Sequence, residues 1–208
     1  MSSQSKTRSP QQSRSIEKKE RLIAAAYALF CEIGYYKATT PGIAKRAGLS
    51  IGCLYSYFKD KRDLFLAVLE RYHQRFGDIR VRALAELNDP DVPLERSFRS
   101  LLEKLIEIHR ESEALNKEVR ILAYADPEVR GMSEAQGATV RAAVLASMRA
   151  NASRMRATDI EAASEVVGEL ISGIVHRIAF KESGLDDGRM LDAALEAISS
   201  YLLPPAER

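Results

Sequence analysis

Cysteine is scarce in these 208 residues: there are only two, Cys31 and Cys53. No Cys-x-x-Cys spacing joins them, which argues against a disulfide framework or a zinc knuckle and fits two small thiols in a reducing compartment. Long apolar runs are missing as well. Met1 to Ser15 is polar, rich in Ser, Gln and Arg, with nothing apolar behind it, so it reads as neither signal peptide nor anchor. The expectation is a cytoplasmic protein without a membrane partner. No stretch alternates polar and apolar residues with the period of two that a sheet requires. Common enzyme signatures are lacking too: no Gly-x-Gly-x-x-Gly, no phosphate loop ending in Gly-Lys-Ser/Thr, no His-Glu-x-x-His and no paired Glu-x-x-His. The three histidines, His73, His109 and His176, fall on separate predicted helices without a partner at ligand spacing. No metal, other cofactor or catalytic residue is therefore expected.

What the chain does have is charge, unevenly placed. Its formal net charge is +2, with 46% hydrophobic and 29% charged residues, enough apolar material for one medium domain or two small ones. Residues 1–75 carry 14 Lys/Arg against 6 Asp/Glu, and the remainder is net acidic. One end is suited to a polyanion. Apolar residues recur at helical spacing almost throughout, predicting an all-α fold of about nine helices. A basic, compositionally disordered tail is expected over 1–15, a three-helix unit over 16–60, and a larger helical domain over 61–208.

The first helix should run from about Ile16 to Ile33 and stop at Gly34, where a left-handed cap is wanted. A short helix is expected from Thr40, with the Thr40 hydroxyl as its cap and Pro41 at its first position. It ends at Gly48, and another short helix begins after Ser50, a second cap. Two short capped helices around Gly48-Leu49-Ser50 form a helix-turn-helix. Ile43, Ala44, Ala47, Leu49, Leu54 and Phe58 are spaced to bury, leaving Ile51, Gly52, Cys53, Tyr55 and Tyr57 outward. Such a face, nearly uncharged and with two very small residues, suits a helix pressed into a DNA groove: small residues allow close approach and tyrosine hydroxyls reach phosphates. Lys37, Lys45, Arg46, Lys59, Lys61 and Arg62 frame it, and Lys6, Arg8, Arg14, Lys18, Lys19 and Arg21 lie upstream, a source of salt-dependent affinity. Gly48-Leu49-Ser50-Ile51-Gly52 also matches the nucleophile elbow of serine hydrolases, but that chemistry needs a strand before the serine. Ser50 reads as a helix cap.

From Ile23 to Leu69 the residues Ala25-Ala26, Leu29-Phe30, Gly34-Tyr35, Thr39-Thr40, Ile43-Ala44, Ala47-Gly48-Leu49-Ser50, Gly52, Leu54-Tyr55, Tyr57-Phe58, Lys61 and Leu64 resemble the amino-terminal domain of the TetR family of transcriptional regulators. The resemblance implies that Thr40, Tyr55, Tyr57 and Lys61 contact phosphates of double-stranded DNA and that Ile51, Gly52 and Cys53 lie nearest the base edges. Pro41-Gly42, Ile51 and Cys53 depart from the family's usual residues; Ile51 can meet a thymine methyl but cannot hydrogen-bond guanine.

The segments 158–182 and 187–203 carry strong apolar stripes. Periodicity alone reads these as ordinary core, whereas the resemblance implies a homodimer built on them, through Val167, Leu170, Ile171, Ile174, Val175 and Ile178 with Leu195, Ile198 and Leu202. It also implies a small-molecule effector pocket among the helices from Pro93 to Glu182, for which His109, Arg120, Tyr124, Met132, His176 and Phe180 are candidates. The function so implied is a dimeric repressor that an effector releases from a pseudo-palindromic operator. The competing reading is a helical adaptor or small-molecule binder with little sequence-specific DNA binding.

Overall fold

A computed structural model of the chain describes residues 10–181 and 184–204. Among the described residues there are nine α-helices and no strand: α1 (Pro10–Ile33), α2 (Thr40–Arg46), α3 (Ile51–Tyr57), α4 (Lys61–Leu87), α5 (Leu94–Glu111), α6 (Glu113–Ala125), α7 (Pro127–Ala150), α8 (Ile160–Ala179) and α9 (Asp187–Leu202). The expectation of an all-α chain of about nine helices agrees with this.

Local chemistry sets most helix ends. Ser50 Oγ accepts from Cys53 N at 3.1 Å, Asp60 caps α4 through Asp63 N at 2.8 Å, and Asp126, Asp159 and Asp186 cap α7, α8 and α9 in the same way. The cap of α2 is Thr39, whose Oγ1 accepts from Gly42 N at 3.2 Å, one residue earlier than expected. This leaves the Thr40 side chain free for another role. Gly34 (φ 82°) and Gly48 (φ 64°) hold left-handed turns where a side chain would be strained. The expected tail lies outside the described residues over 1–9. Residues 10–15 are helical, because Pro10 tolerates the opening position, where no N–H is needed, and Ser15 Oγ reaches Tyr57 Oη at 3.0 Å.

Two apolar clusters organise the chain. The first joins α1, α2 and α3 to the amino-terminal half of α4 and to Leu115 and Val119 of α6; Phe30, Tyr35 and Phe65 pack at its centre with ring centroids 4.8–5.8 Å apart. The second joins the far end of α4 to α5, α8 and α9, with Met148 of α7. Helix α4 belongs to both, so the three-helix head is continuous with the body rather than tethered to it.

Candidate DNA interface and effector cavity

Helix α3 sits on the head with Leu54 and Phe58 buried beneath it and Ile51, Gly52 and Tyr55 exposed; Ile51 is 40% and Tyr55 52% accessible. Cys53 is half-buried beside them. The Thr40 hydroxyl, released from capping, lies 3.1 Å from Tyr55 Oη. This brings two hydroxyls from different helices side by side, each able to donate to a phosphate oxygen. The match to a serine-hydrolase nucleophile elbow lacks its required context: Ser50 is engaged in capping, and a helix rather than a strand precedes it.

Several other expected contacts take a different form. Tyr57 is half-buried against the core, with its hydroxyl on Ser15. Lys61 is not a free cation: its Nζ donates to the carbonyls of Tyr35 (3.0 Å) and Ala38 (3.1 Å) and lies 4.3 Å from the Tyr35 ring centroid. It anchors the α1–α2 turn and keeps one N–H for anything else. Arg21 Nη2 donates to the Ala47 carbonyl at 2.6 Å, Arg46 pairs with Glu32, and Arg62 pairs with Asp126 and Glu128. Arg62 holds the Asp126 carboxyl down at about 2. The basic frame left exposed on the head is thus chiefly Lys37, Lys45 and Lys59.

Between α4, α5, α7 and α8 lies a largely apolar cavity of about 500 Å3, within the size range of small-molecule sites. Tyr72, Phe76, Phe98, Leu101, Val144, Val167 and Ile171 supply most of its apolar character, and Arg80, Gln136 and Asn151 add polar groups. His73, His109 and His176, remote in sequence, all line it, with the rings of His109 and His176 4.9 Å apart. Among the described residues no group of three or more His, Cys, Asp or Glu could hold a metal ion.

Burial pulls the imidazoles of His73 and His109 down to about 4, with Arg80 adding to both and His176 to His109. They are neutral near pH 7, where His109 Nδ1 faces the Leu105 carbonyl at 2.7 Å. Because each folded-state value lies below the ordinary 6.5, the unfolded chain takes up protons first, and stability falls as pH drops through the window from 6.5 towards 4. Melting curves should show a loss of about 2 kcal/mol between pH 7 and 5, after allowance for screening at the partly exposed His73. Replacing His109 with Phe should flatten that slope; an unchanged slope would contradict the assignment.

Of the candidate pocket residues, His109 and His176 line the cavity. Phe180 is buried just behind, stacked on His176 with centroids 5.6 Å apart. Met132 borders an outer groove between α4 and α7. Arg120 and Tyr124 are exposed on α6 and line no part of the cavity, Tyr124 being 89% accessible. Their stripe on α6 is turned to solvent, while Leu115, Asn116 and Val119 turn inward.

The expected interface residues are also placed differently. Val167, Val175, Ile178, Leu195, Ile198 and Leu202 are buried within the chain itself, and Leu170, Ile171 and Ile174 are half-buried; Val167, Ile171 and Val175 face the cavity. The six buried side chains serve the body's own core, while Leu170, Ile171 and Ile174 keep part of their surface exposed. The outward strips are Val166 and Gly173 on α8 and Ala193, Ala197 and Tyr201 on α9.

Sequence reading missed Arg80 and the aromatic wall of α4. The available signal was register: Tyr72, Phe76, Arg80 and Leu84 fall at four-residue intervals, so the arginine lies on an apolar stripe.

A compact head exposing the second helix of a helix-turn-helix, joined through one long helix to a cavity-bearing helical body, defines the class of one-chain helix-turn-helix regulators. Family comparison agrees. The model of the bacterial regulatory proteins of the tetR family matches residues 22–68, and that of the tetracyclin repressor-like C-terminal domain matches residues 93–202. The chain belongs to the TetR family of transcriptional regulators.

Curated relatives match over a limited stretch of the chain. The regulator HbdR of Aromatoleum sp. (strain CIB) is 47% identical over 62 residues, 28% of this chain and 27% of its own length. The regulator BetI of Yersinia pestis is 37% identical over 75 residues, 35% and 38% of the two chains. Matches to these relatives therefore span well under half of their lengths. Solved structures cover nearly the whole fold: a TetR transcription regulator from Haloarcula marismortui (TM-score 0.70, 23% identity, 91% of this chain and all of the other) and a Saccharomonospora viridis protein solved with choline (TM-score 0.72, 19% identity, 91% and 99%). At such identities the likeness shows the fold alone. No helix among the described residues is long and apolar enough to cross a membrane.

Proposed function

We propose that the protein is a ligand-responsive transcriptional repressor that binds a pseudo-palindromic operator as a homodimer and leaves it when a small molecule fills the cavity. The observation that carries this reading is the joining of an exposed α3 and an internal cavity by shared elements. Helix α4 begins under the head and forms one cavity wall. Helix α6 adds a second connection: Asn116 Nδ2 donates to the cavity-lining Tyr72 Oη at 2.6 Å, and two residues on, Glu118 accepts the backbone N–H groups of Tyr35 and Tyr36 in the turn after α1. A ligand that moves Tyr72 therefore acts on the loop that seats the head.

An effector shifts the equilibrium only if it binds one head spacing better than the other. A single short helix reads few base pairs, so two heads one helical turn apart are needed for specificity. The outward strips of α8 and α9 provide the surface for that pairing, and DNA supplies the partner for α3.

Mobility shift with the DNA upstream of the protein's own gene tests this. The regulator should give a discrete complex whose affinity falls steeply as salt rises, and whose sequence preference survives excess competitor. Weak binding without sequence preference would instead favour the adaptor reading, which the engagement of Arg46, Lys61 and Arg62 within the protein motivates.

A further inference from the structure

Among the described residues that line the cavity, a single one carries a fixed charge, and it is positive. Arg80 of α4 lines a space otherwise walled by rings, aliphatic side chains and polar groups, with no Asp or Glu among the described lining residues. The neighbouring carboxylates, Glu70 and Asp78, belong to the outer groove between α4 and α7 that Arg80 also borders. No ion pair joins Arg80 to either of them, although every other arginine of α4 except Arg82 has a carboxylate partner: Arg62 with Asp126, Arg71 with Glu20, Arg75 with Glu111.

Arg82 is exposed to solvent, whereas Arg80 is more than half buried and desolvation disfavours its charged form. A guanidinium withdrawn from water without a counter-ion is costly unless something offsets it. Its fork matches a carboxylate or phosphate oxygen pair. His73 and Gln136, which line the same part of the cavity and groove, provide further hydrogen-bonding groups beside it. Elsewhere the lining, including Phe98, Val144 and Ile171, is apolar.

We infer that the cavity takes an amphipathic monoanion, an organic carboxylate whose apolar body packs against Phe98, Val144 and Ile171 while its head group pairs with Arg80. This deepens the proposed function by naming the chemical class of the effector, and it rests on that reading only for the consequence at the operator, not for the binding itself. It also separates this chain from the choline-bound neighbour: a quaternary ammonium could stack on the rings but would meet a like charge at Arg80.

The test is calorimetric titration of the full chain, its Arg80→Gln variant and its Arg80→Lys variant. Matched probes kept below micelle-forming concentrations are decanoate, 1-decanol and decyltrimethylammonium, with 3-phenylpropanoate as an anion of different shape. At least one carboxylate should bind the unaltered chain more tightly than the alcohol and the cation. That carboxylate should lose about tenfold or more in Arg80→Gln and recover in part in Arg80→Lys, because the paired charge is removed and then restored without the planar fork. Binding of 1-decanol should be indifferent to both changes, which distinguishes a lost ion pair from a collapsed cavity.

Melting temperature provides the folding control: Arg80→Gln should be at least as stable as the parent, since an uncompensated charge has gone. The inference is overturned if neither carboxylate binds, if the cation binds as tightly as the anions, or if Arg80→Gln leaves carboxylate affinity unchanged. A parallel mobility shift separates this outcome from the fate of the regulatory reading. Arg80-dependent carboxylate binding with no effect on a DNA complex would support the ligand class while refuting effector release. Intact DNA binding with no carboxylate binding would refute the ligand class alone.

Discussion

Val166→Glu combined with Ala197→Glu is expected to yield a folded monomer that has lost about 1,000-fold or more in operator affinity. Both side chains point outward from the body, Val166 with 56% of its surface exposed, so the substitutions create no cavity and bury no charge within the subunit. In a two-fold pairing through α8 and α9 each carboxylate would instead be forced into an apolar contact and set near its own copy. Separation of the heads removes the gain from linked binding, which is worth two to four orders of magnitude. Light scattering after gel filtration gives the mass, and fluorescence anisotropy with labelled operator gives the affinity. A variant that remains dimeric, or a monomer that binds operator as tightly as the parent, would contradict the proposed assembly. The same substitutions made at Ile198 or Leu202, both fully buried, would report on unfolding instead.

Thr40→Val with Tyr55→Phe should reduce operator affinity by at least about 100-fold and leave the melting temperature nearly unchanged. The two hydroxyls are 3.1 Å apart on the surface of the head and carry no cap or core contact, since Thr39 performs the capping of α2. Hydrogen bonds to a charged phosphate are worth about 1.5–3 kcal/mol each before non-additivity is allowed for, and the dimer would lose four such groups. The loss should fall equally on operator and unrelated DNA, because phosphate contacts position the protein without reading sequence. A substitution at Ile51 should do the reverse and alter preference among operators, its side chain lying at the start of α3 where base edges are met. Retention of full affinity by the hydroxyl-free variant would remove Thr40 and Tyr55 from the interface.

The sequence made the head legible because its signals are local. Ser50 and Asp60 cap helices within three residues of themselves, Gly34 and Gly48 supply turns that other residues resist, and Ile43, Leu54 and Phe58 keep helical register. Thr39 and Thr40 show the limit of that method: two adjacent threonines are equally good caps, and only the backbone geometry decides between them. The body was legible as helices but not as a site. Which side of an amphipathic helix meets a cavity, a neighbouring helix or a second subunit depends on contacts far apart in the chain. Val167 and Ile198, which periodicity alone reads as core and the resemblance assigns to an interface, are buried within the subunit. His73, His109 and His176 sit on three helices, and their meeting at one cavity has no counterpart in spacing. Arg80 was concealed by its type, since a charged residue on a long helix ordinarily faces water.

The account rests on two copies of α3 entering successive major grooves of one duplex. Hydroxyl-radical footprinting of the DNA upstream of the protein's own gene addresses that arrangement most directly. Two protected patches on one face of the duplex, their centres about 34–36 Å apart and flanking a pseudo-palindrome, are the predicted result. A single patch, patches at another spacing, or uniform weak protection without a preferred sequence would contradict it.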